Sequence, residues 1–372
     1  MTNNILLVYG GNSVEHEISI ITALQIKNQY KGKYHLILCY LKDGKFYISP
    51  KLEKIDFYKS ISKNIKNVNS INFNANENLI KVKHKKLHFD AVWIVAHGSN
   101  CEDGTLYSYF KTLNIDVIGE KPSSAIIGQN KYLTKKCTSV NTIPFYELNS
   151  YDYNHNLEKI MEETKKLGFP VILKPVDLGS SVGIHSANNI DEMMDSVEEL
   201  FHLSSSIIIE KKINHFMELN ISVFQYKDEF ILSDIEKVSN NHVLSYKDKY
   251  VNNQKSMVGQ KKELPANISN ELKKQIQSFA LKIYKDLKAQ YIVRMDFLYD
   301  LDNDALYFNE INNIPGSLAL YLYDSIGFKC SDILDMYIDE GLKNINNEKE
   351  LITTYQDNIF MQQNFNNVKF NK

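Results

Sequence analysis

Asp296, Glu310 and Asn312 are the residues whose types and spacing could most plainly do chemistry. They lie in YIVRMDFLYDLDNDALYFNEINNIPG, where two runs rich in aromatic and β-branched residues, 291–299 and 305–311, flank the turn signal LDND. That pattern predicts a β-hairpin. Centred on Asn303, the hairpin sets Asp296 opposite Glu310 and Arg294 opposite Asn312. Side chains alternate along a strand, so these four share one face while Val293, Met295 and Phe297 take the other. Two carboxylates and an amide oxygen suit a hard divalent cation, and the guanidinium beside them suits an anion. The plain alternative is the solvated face of an antiparallel sheet, and a β-bulge would slip the register and undo the pairing. What favours the metal reading is the rest of the chain.

Lys174-Pro-Val-Asp-Leu-Gly179-Ser180-Ser181-Val-Gly183 follows a short apolar strand. Glycine and serine let backbone N–H groups and hydroxyls approach an anion, and Lys174 supplies a point charge at the strand end. The lysine precedes the glycines, so this is not a Walker loop. Alone, the loop reads as an ordinary turn; upstream of Asp296, Glu310 and Asn312 it points to a nucleotide phosphate with magnesium. Gly10 to Ser19 (GGNSVEHEIS) lies where a strand turns into a helix, the place where ligands collect in open α/β sheets. Glu15 there could receive an ammonium group, or with Glu17 merely complement the helix dipole. His97-Gly98 and Glu102-Asp103-Gly104 end another strand and face the same crevice; by itself His97 reads as a structural histidine.

The elements that must position these groups alternate. Strands are predicted at 5–9, 34–40, 89–96 and 116–118, with helices at 15–30 (Ser13 as N-cap) and 106–113. This βα alternation implies a mostly parallel sheet. Residues 50–88 read as a lysine- and asparagine-rich insertion with a hairpin at 79–87. A helix starts near Lys131, followed by strands at 171–174 and 184–186, a helix at 191–201 and a buried strand at 206–210. Antiparallel strands follow at 218–234, then a polar mobile loop at 239–264, a long amphipathic helix at 268–287, the hairpin, and a helix at 331–342. The last residues, 344–372, are polar and asparagine-rich and read either as a terminal helix or as partly disordered.

A length of 372 residues allows two or three domains. The net charge of −2, from 43 basic and 45 acidic residues, gives no field that would draw the chain to nucleic acid or an anionic membrane. Cys39, Cys101, Cys137 and Cys330 lack CxxC spacing, so neither a zinc knuckle nor a disulfide framework is expected, and Cys101 reads as a small buried thiol. The apolar run near the start is too short for a signal peptide, and no stretch reaches the roughly 18 apolar residues of a membrane span. The expectation is a cytoplasmic protein.

GGNSVEHEIS, AHGSNCEDGT, SSAIIGQNK, FPVILKPVDLGSSVGI, YKDKY with PANIS, VRMDF and NEINNIPG resemble, in order and spacing, the D-alanine–D-alanine ligase family of the ATP-grasp superfamily. The resemblance spans about residues 5–340, and HGSNCEDGT is also similar to the branch that makes D-alanyl-D-serine. It implies an α/β fold, α+β in parts, of three domains. These are an N-terminal parallel-sheet α/β domain (1–125), a small central α+β domain (126–217) and a C-terminal α+β domain with a mainly antiparallel sheet (218–345), followed by a polar tail (346–372). It further implies phosphorylation of the carboxylate of one D-alanine by ATP and attack of a second amine on the acylphosphate.

By the same resemblance Asp296, Glu310 and Asn312 would hold two Mg²⁺ ions, with Mn²⁺ able to replace them. Lys131, Lys174, Ser181 and Lys249 would contact ATP phosphates, Glu218 the ribose, and Glu210 would begin the adenine hinge. Glu15, linked to Ser180 and to Tyr250 on the loop, would take the first ammonium; Arg294 and the N–H of Gly316 would form the oxyanion site. His97, Tyr321 and Leu322 would bind substrate, and a homodimer is implied. Departures from the family pattern are Tyr321 for a serine, Tyr107-Ser108 for Gln-Gly, and Asn130 for an aspartate, and they leave open another nucleophile such as D-serine.

Overall fold

The computed structural model describes residues 3–82, 84–238 and 262–353. The run ILLVY makes β1 (Asn4–Gly10) apolar on both faces, as the centre of a covered parallel sheet requires. Beside it lie β2 (His35–Lys42), then β3 (Lys45–Tyr47) and β4 (Ser70–Ile71) as an antiparallel edge. The insertion holds a separate hairpin, β5 (Leu79–Val82) with β6 (Lys85–His88), close to where it was expected. Adding β7 (Ala91–Ile94) and β8 (Val117–Ile118), the sheet runs β4-β3-β2-β1-β7-β8, with β2, β1, β7 and β8 parallel.

The central sheet is antiparallel: β9 (Phe145–Asn149), β10 (Val171–Pro175), β11 (His185–Ala187) and β12 (Ser206–Lys211), in the order β11-β10-β12-β9. Helices Leu157–Leu167 and Ile190–Leu200 contribute Ile160, Met193, Val197 and Leu200 to its core. The strand β9 and the helix over 157–167 were not expected from the sequence. The helix buries Ile160 and Thr164, and Leu157, Ile160, Met161 and Leu167 recur at helical spacing, so its amphipathic signal was present in the sequence.

The third sheet contains β13 (Phe216–Tyr226), β14 (Glu229–Leu232), β15 (Glu236–Val238), β16 (Lys262–Glu263), β17 (Val293–Asp300) and β18 (Ala305–Asn312). Its order is β16-β15-β13-β17-β18, with β14 also on β13. Helix Asn270–Asp286 covers one face through Leu272, Ile276, Ala280 and Ile283. The other face is the polar one.

Two expectations need correction. Ser13 does not cap the first helix, His16–Gln29; its hydroxyl donates to the His97 carbonyl at 2.8 Å, and Glu15 occupies the cap position. The last described helix does not stop at Leu342 but runs from Cys330 to Lys349. Its final turns are asparagine-rich, and what sustains them is tertiary. Ile345 is buried, Glu348 pairs with Lys111 and Lys121 at 3.0 and 2.9 Å, and Lys349 pairs with Asp116 at 2.8 Å. Those partners belong to the N-terminal part of the chain, so this helix fastens the two ends together. Gly341 sits against Ile118, where an added Cβ would come within 2.6 Å of a side-chain methyl. Gly341→Ala should therefore cost about 1–3 kcal/mol in urea unfolding; an unchanged midpoint would show that the helix is not seated on β8.

Candidate active site

Strand register assembles the polar face. Across β15, β13, β17 and β18 it aligns Glu236, Asn220, Asp296 and Glu310, and the next row holds Ser222, Arg294 and Asn312. The pairings of Asp296 with Glu310 and Arg294 with Asn312 are those expected from the sequence. The half of the hairpin nearer the turn differs: Phe297 pairs with Phe308, not with Asn309. Asp300 sits opposite Ala305 and accepts from the Asp302 N–H at 2.9 Å, which tightens the turn by one residue. A bulge at Asn309 restores the register. The irregularity that would have undone the pairing is what completes it.

Arg294 grips Asp296 with two parallel bonds, Nε to Oδ1 at 2.7 Å and Nη2 to Oδ2 at 2.8 Å, and the Asn312 amide donates to Oδ2 at 3.2 Å. Asp296 is only 3% exposed, so its charge needs this pairing. Asn220, which sequence reasoning missed, is also buried, and no described group hydrogen-bonds its Oδ1. The signal was there: Glu218, Asn220 and Ser222 alternate along β13.

Next to the bulge lies a buried triad. Glu210 pairs with Lys135 at 2.8 Å and with Lys174 at 2.6 Å. Lys174 also donates to Asn309 Oδ1 at 3.2 Å, and Lys135 to the Phe308 carbonyl at 3.4 Å. Burial would raise the Glu210 carboxyl, yet the two ammonium groups outweigh it and hold its pKa at about 2. Burial works against Lys174 too, but Glu210 and Glu310 more than offset it and raise its pKa. Lys135 was not foreseen, although it stands one turn beyond Lys131 on helix Lys131–Cys137. The Glu210 carboxylate, expected at an adenine hinge, is spent on the two lysines.

Lys131 props the loop after β10, its Nζ on the Leu178 carbonyl at 2.5 Å and its N–H on the Val176 carbonyl at 2.8 Å. Asn130 caps that helix by accepting from the Leu133 N–H at 2.9 Å. Asparagine and aspartate cap equally well, so this departure has a structural account. Within the loop, Ser180 and Ser181 take left-handed φ values of 54° and 60°. The Ser180 hydroxyl donates to Glu15 at 2.5 Å, and a Cβ on Gly179 would lie 2.8 Å from the same carboxylate. Only glycine lets the loop come this close.

His97 is buried against Thr22 Oγ1 at 3.0 Å, and burial lowers its pKa to about 4 despite a hydrogen bond to the Ile314 backbone. Glu102 accepts from the Ile314 N–H at 2.8 Å and the Gly98 N–H at 3.1 Å. Burial first, then the nearby Glu15 charge, pushes its carboxyl up to about 8. Glu102 was expected to face the crevice without an assigned role; it ties the first crevice to the segment following β18. The Cys101 thiol is buried and, by that burial, pushed up to about 12, as a structural cysteine should be.

Beyond β18, Gly316 opens a short turn in which Ser317, Leu318 and Ala319 all have φ near 50° (52°, 52° and 50°). A Cβ on Gly316 would meet nothing within 4 Å. Tyr321 donates to the buried Glu236 at 2.8 Å and receives Lys262 at 3.3 Å, while Leu322 is fully buried. Tyr107 turns away from these groups toward Glu348, and Ser108 bonds its own helix at Gly104. Of these two departures, Tyr107 serves the seam with the C-terminal helix, and Ser108 bonds only its own helix. Glu218 lies on the polar face one row beyond Asn220, whereas Lys249, Tyr250 and loop residues 239–261 lie outside the described residues.

Residues 4–120 match the family model for the D-Ala-D-Ala ligase N-terminus, and residues 134–339 match that for its C-terminus. The chain belongs to the D-alanine–D-alanine ligase family. A D-alanine–D-alanine ligase of Thermosipho africanus is 33% identical over 96% of this chain and 98% of its own. The VanG D-Ala:D-Ser ligase of Enterococcus faecalis superposes with a TM-score of 0.77 at 26% identity, over 92% of this chain and all of that one. The D-alanine–D-alanine ligase of Bacillus anthracis complexed with ATP shares the fold, with a TM-score of 0.67 at 23% identity over 93% and 100% of the two chains. The three sheets are those of the ATP-grasp architecture. No helix among the described residues is long and apolar enough to cross a membrane.

Glu102 and His97 give this site a pH signature. Glu102 releases its proton near 8 when folded and near 4.5 when unfolded, so stability is lost as pH rises through that window. His97 acts oppositely, but only between about 4 and 6.5. From about pH 6.5 to about pH 8.5, Tm should fall in the native protein and fall less in Glu102→Gln. Parallel slopes would mean that Glu102 is ionised in the fold.

Proposed function

We propose that this protein is an ATP-dependent D-alanine–D-alanine ligase serving peptidoglycan precursor synthesis. The observation that carries the reading is the paired Asp296 and Glu310 beside Lys174 and Arg294. A carboxylate is a poor electrophile, and phosphorylation gives it a leaving group; the protein's part is positioning and neutralising charge. Glu15, oriented by Ser180, takes the ammonium of the first D-alanine, with Tyr250 joining from the loop. Lys131, Lys174, Ser181 and Lys249 receive the phosphates of ATP. Glu218 takes the ribose, and the chain at Glu210 borders the adenine. Arg294 and the Gly316 N–H meet the oxyanion of the tetrahedral intermediate, and loop 239–264 closes to exclude water. His97, Tyr321 and Leu322 border the amino-acid substrates.

Asp296, Glu310 and Asn312 fit magnesium by donor chemistry: two carboxylates and an amide oxygen leave positions for phosphate oxygens and water. They would hold two ions, with Mn²⁺ able to replace Mg²⁺, and the ions would neutralise phosphate charge. The family reading extends to a cytoplasmic homodimer that uses neither nucleic acid nor membrane.

A second reading, a ligase with another nucleophile such as D-serine, rests on Tyr321, whose phenol is tied to Glu236 where the family pattern has a serine. Mass spectrometry of products from ATP, Mg²⁺, D-alanine and a panel of second substrates separates the two. D-alanyl-D-alanine should dominate; another conjugate in excess would favour the second reading. Glu310→Gln should lower ligation by about 10²-fold or more while the fold persists. Arg294→Ala should lower kcat more than it weakens ATP binding, and equal losses would count against its oxyanion role.

A further inference from the structure

Lys135 has no part in the chemistry so far assigned, yet its side chain is 1% exposed and fully committed. Burying a second ammonium group beside Lys174 is costly, and a methionine at 135 with a glutamine at 210 would fill the same space without charge. The arrangement has a different logic. Glu210 offers one carboxylate oxygen to each lysine, at 2.8 and 2.6 Å, so one negative charge faces two positive ones. Were Lys135 absent, Glu210 would pair with Lys174 alone and cancel it. Lys135 also donates to the Phe308 carbonyl, and Lys174 to Asn309 Oδ1, so both lysines grip the bulge.

We infer that Lys135 is a positioning residue for nucleotide binding: it occupies half of Glu210, leaving more of the Lys174 charge for the phosphates, and it steadies the bulge that sets Glu310 opposite Asp296. The inference rests on the ligase reading for the nucleotide. Lys135 is too deeply buried to touch a ligand, and it acts through Lys174.

The test is calorimetric binding of ADP and of adenosine to the full-length protein in EDTA, which reads the effect without turnover. Lys135→Met should weaken ADP about tenfold, roughly one pKa unit's worth of interaction, and leave adenosine unchanged because adenosine carries no phosphate. The double variant Lys135→Met/Glu210→Gln removes both the cation and the anion it balanced. It should bind ADP within about threefold of the native protein. An unchanged ADP affinity in Lys135→Met would overturn the inference, as would equal losses for ADP and adenosine. Should Lys135→Met not fold, the double variant decides alone: near-native ADP affinity supports the role, and a tenfold loss refutes it. If the native protein binds no adenine nucleotide at all, the ligase reading itself fails and this inference falls with it.

Discussion

A one-residue slip between β17 and β18 would turn the charged face of that hairpin into the core and the core into the charged face, because side chains alternate with a period of two. Val293, Met295 and Phe297 bury one side of β17, and Asp296 with Arg294 occupies the other. On β18 the apolar positions change parity: Leu306 and Phe308 are buried, and then Ile311. A regular strand cannot bury all three on one side. The bulge at Asn309 absorbs the odd residue, keeps the core intact and delivers Glu310 opposite Asp296. Everything assigned to the site depends on that register.

Two sets of buried charges are then held in place by pairing rather than by solvent. Arg294 neutralises Asp296 through a bidentate contact, and Glu210 bridges Lys135 and Lys174. Breaking either set would leave a buried charge uncompensated, which costs far more than the pair contributes by forming. The second network holds Asn309, the bulge residue next to the Glu310 that pairs with Asp296. The carboxylates that suit magnesium and the lysine that suits phosphate are thus fixed relative to one another by the same short stretch of backbone. The contact between Ser180 and Glu15 brings the loop after β10 against the first crevice.

Much of this was legible in the sequence. Hairpin position, the pairing of Asp296 with Glu310 and of Arg294 with Asn312, and the order of most elements followed from alternation, turn signals and the βα pattern. The bulge was legible too, in the parity change between Phe308 and Ile311, but only to a reader counting buried positions along both strands. Lys135 was not, because its role comes from Glu210, distant in the chain; Glu102 was placed at the crevice, but its tie to Ile314 was hidden for the same reason. The final turns of helix Cys330–Lys349 were hidden for the same reason. Their local composition reads as a tail, and the contacts that order them are with Lys111, Asp116 and Lys121. Tyr107 shows the reverse error, where a change from the family pattern suggested altered chemistry and the phenol instead faces a helix seam.

The central claim is that this site activates a carboxylate by phosphorylation. D-Alanine labelled with ¹⁸O in its carboxylate, incubated with the protein, ATP and Mg²⁺, tests it directly. An acylphosphate route carries one labelled oxygen into inorganic phosphate for each dipeptide formed. Dipeptide formation with unlabelled phosphate would contradict the account.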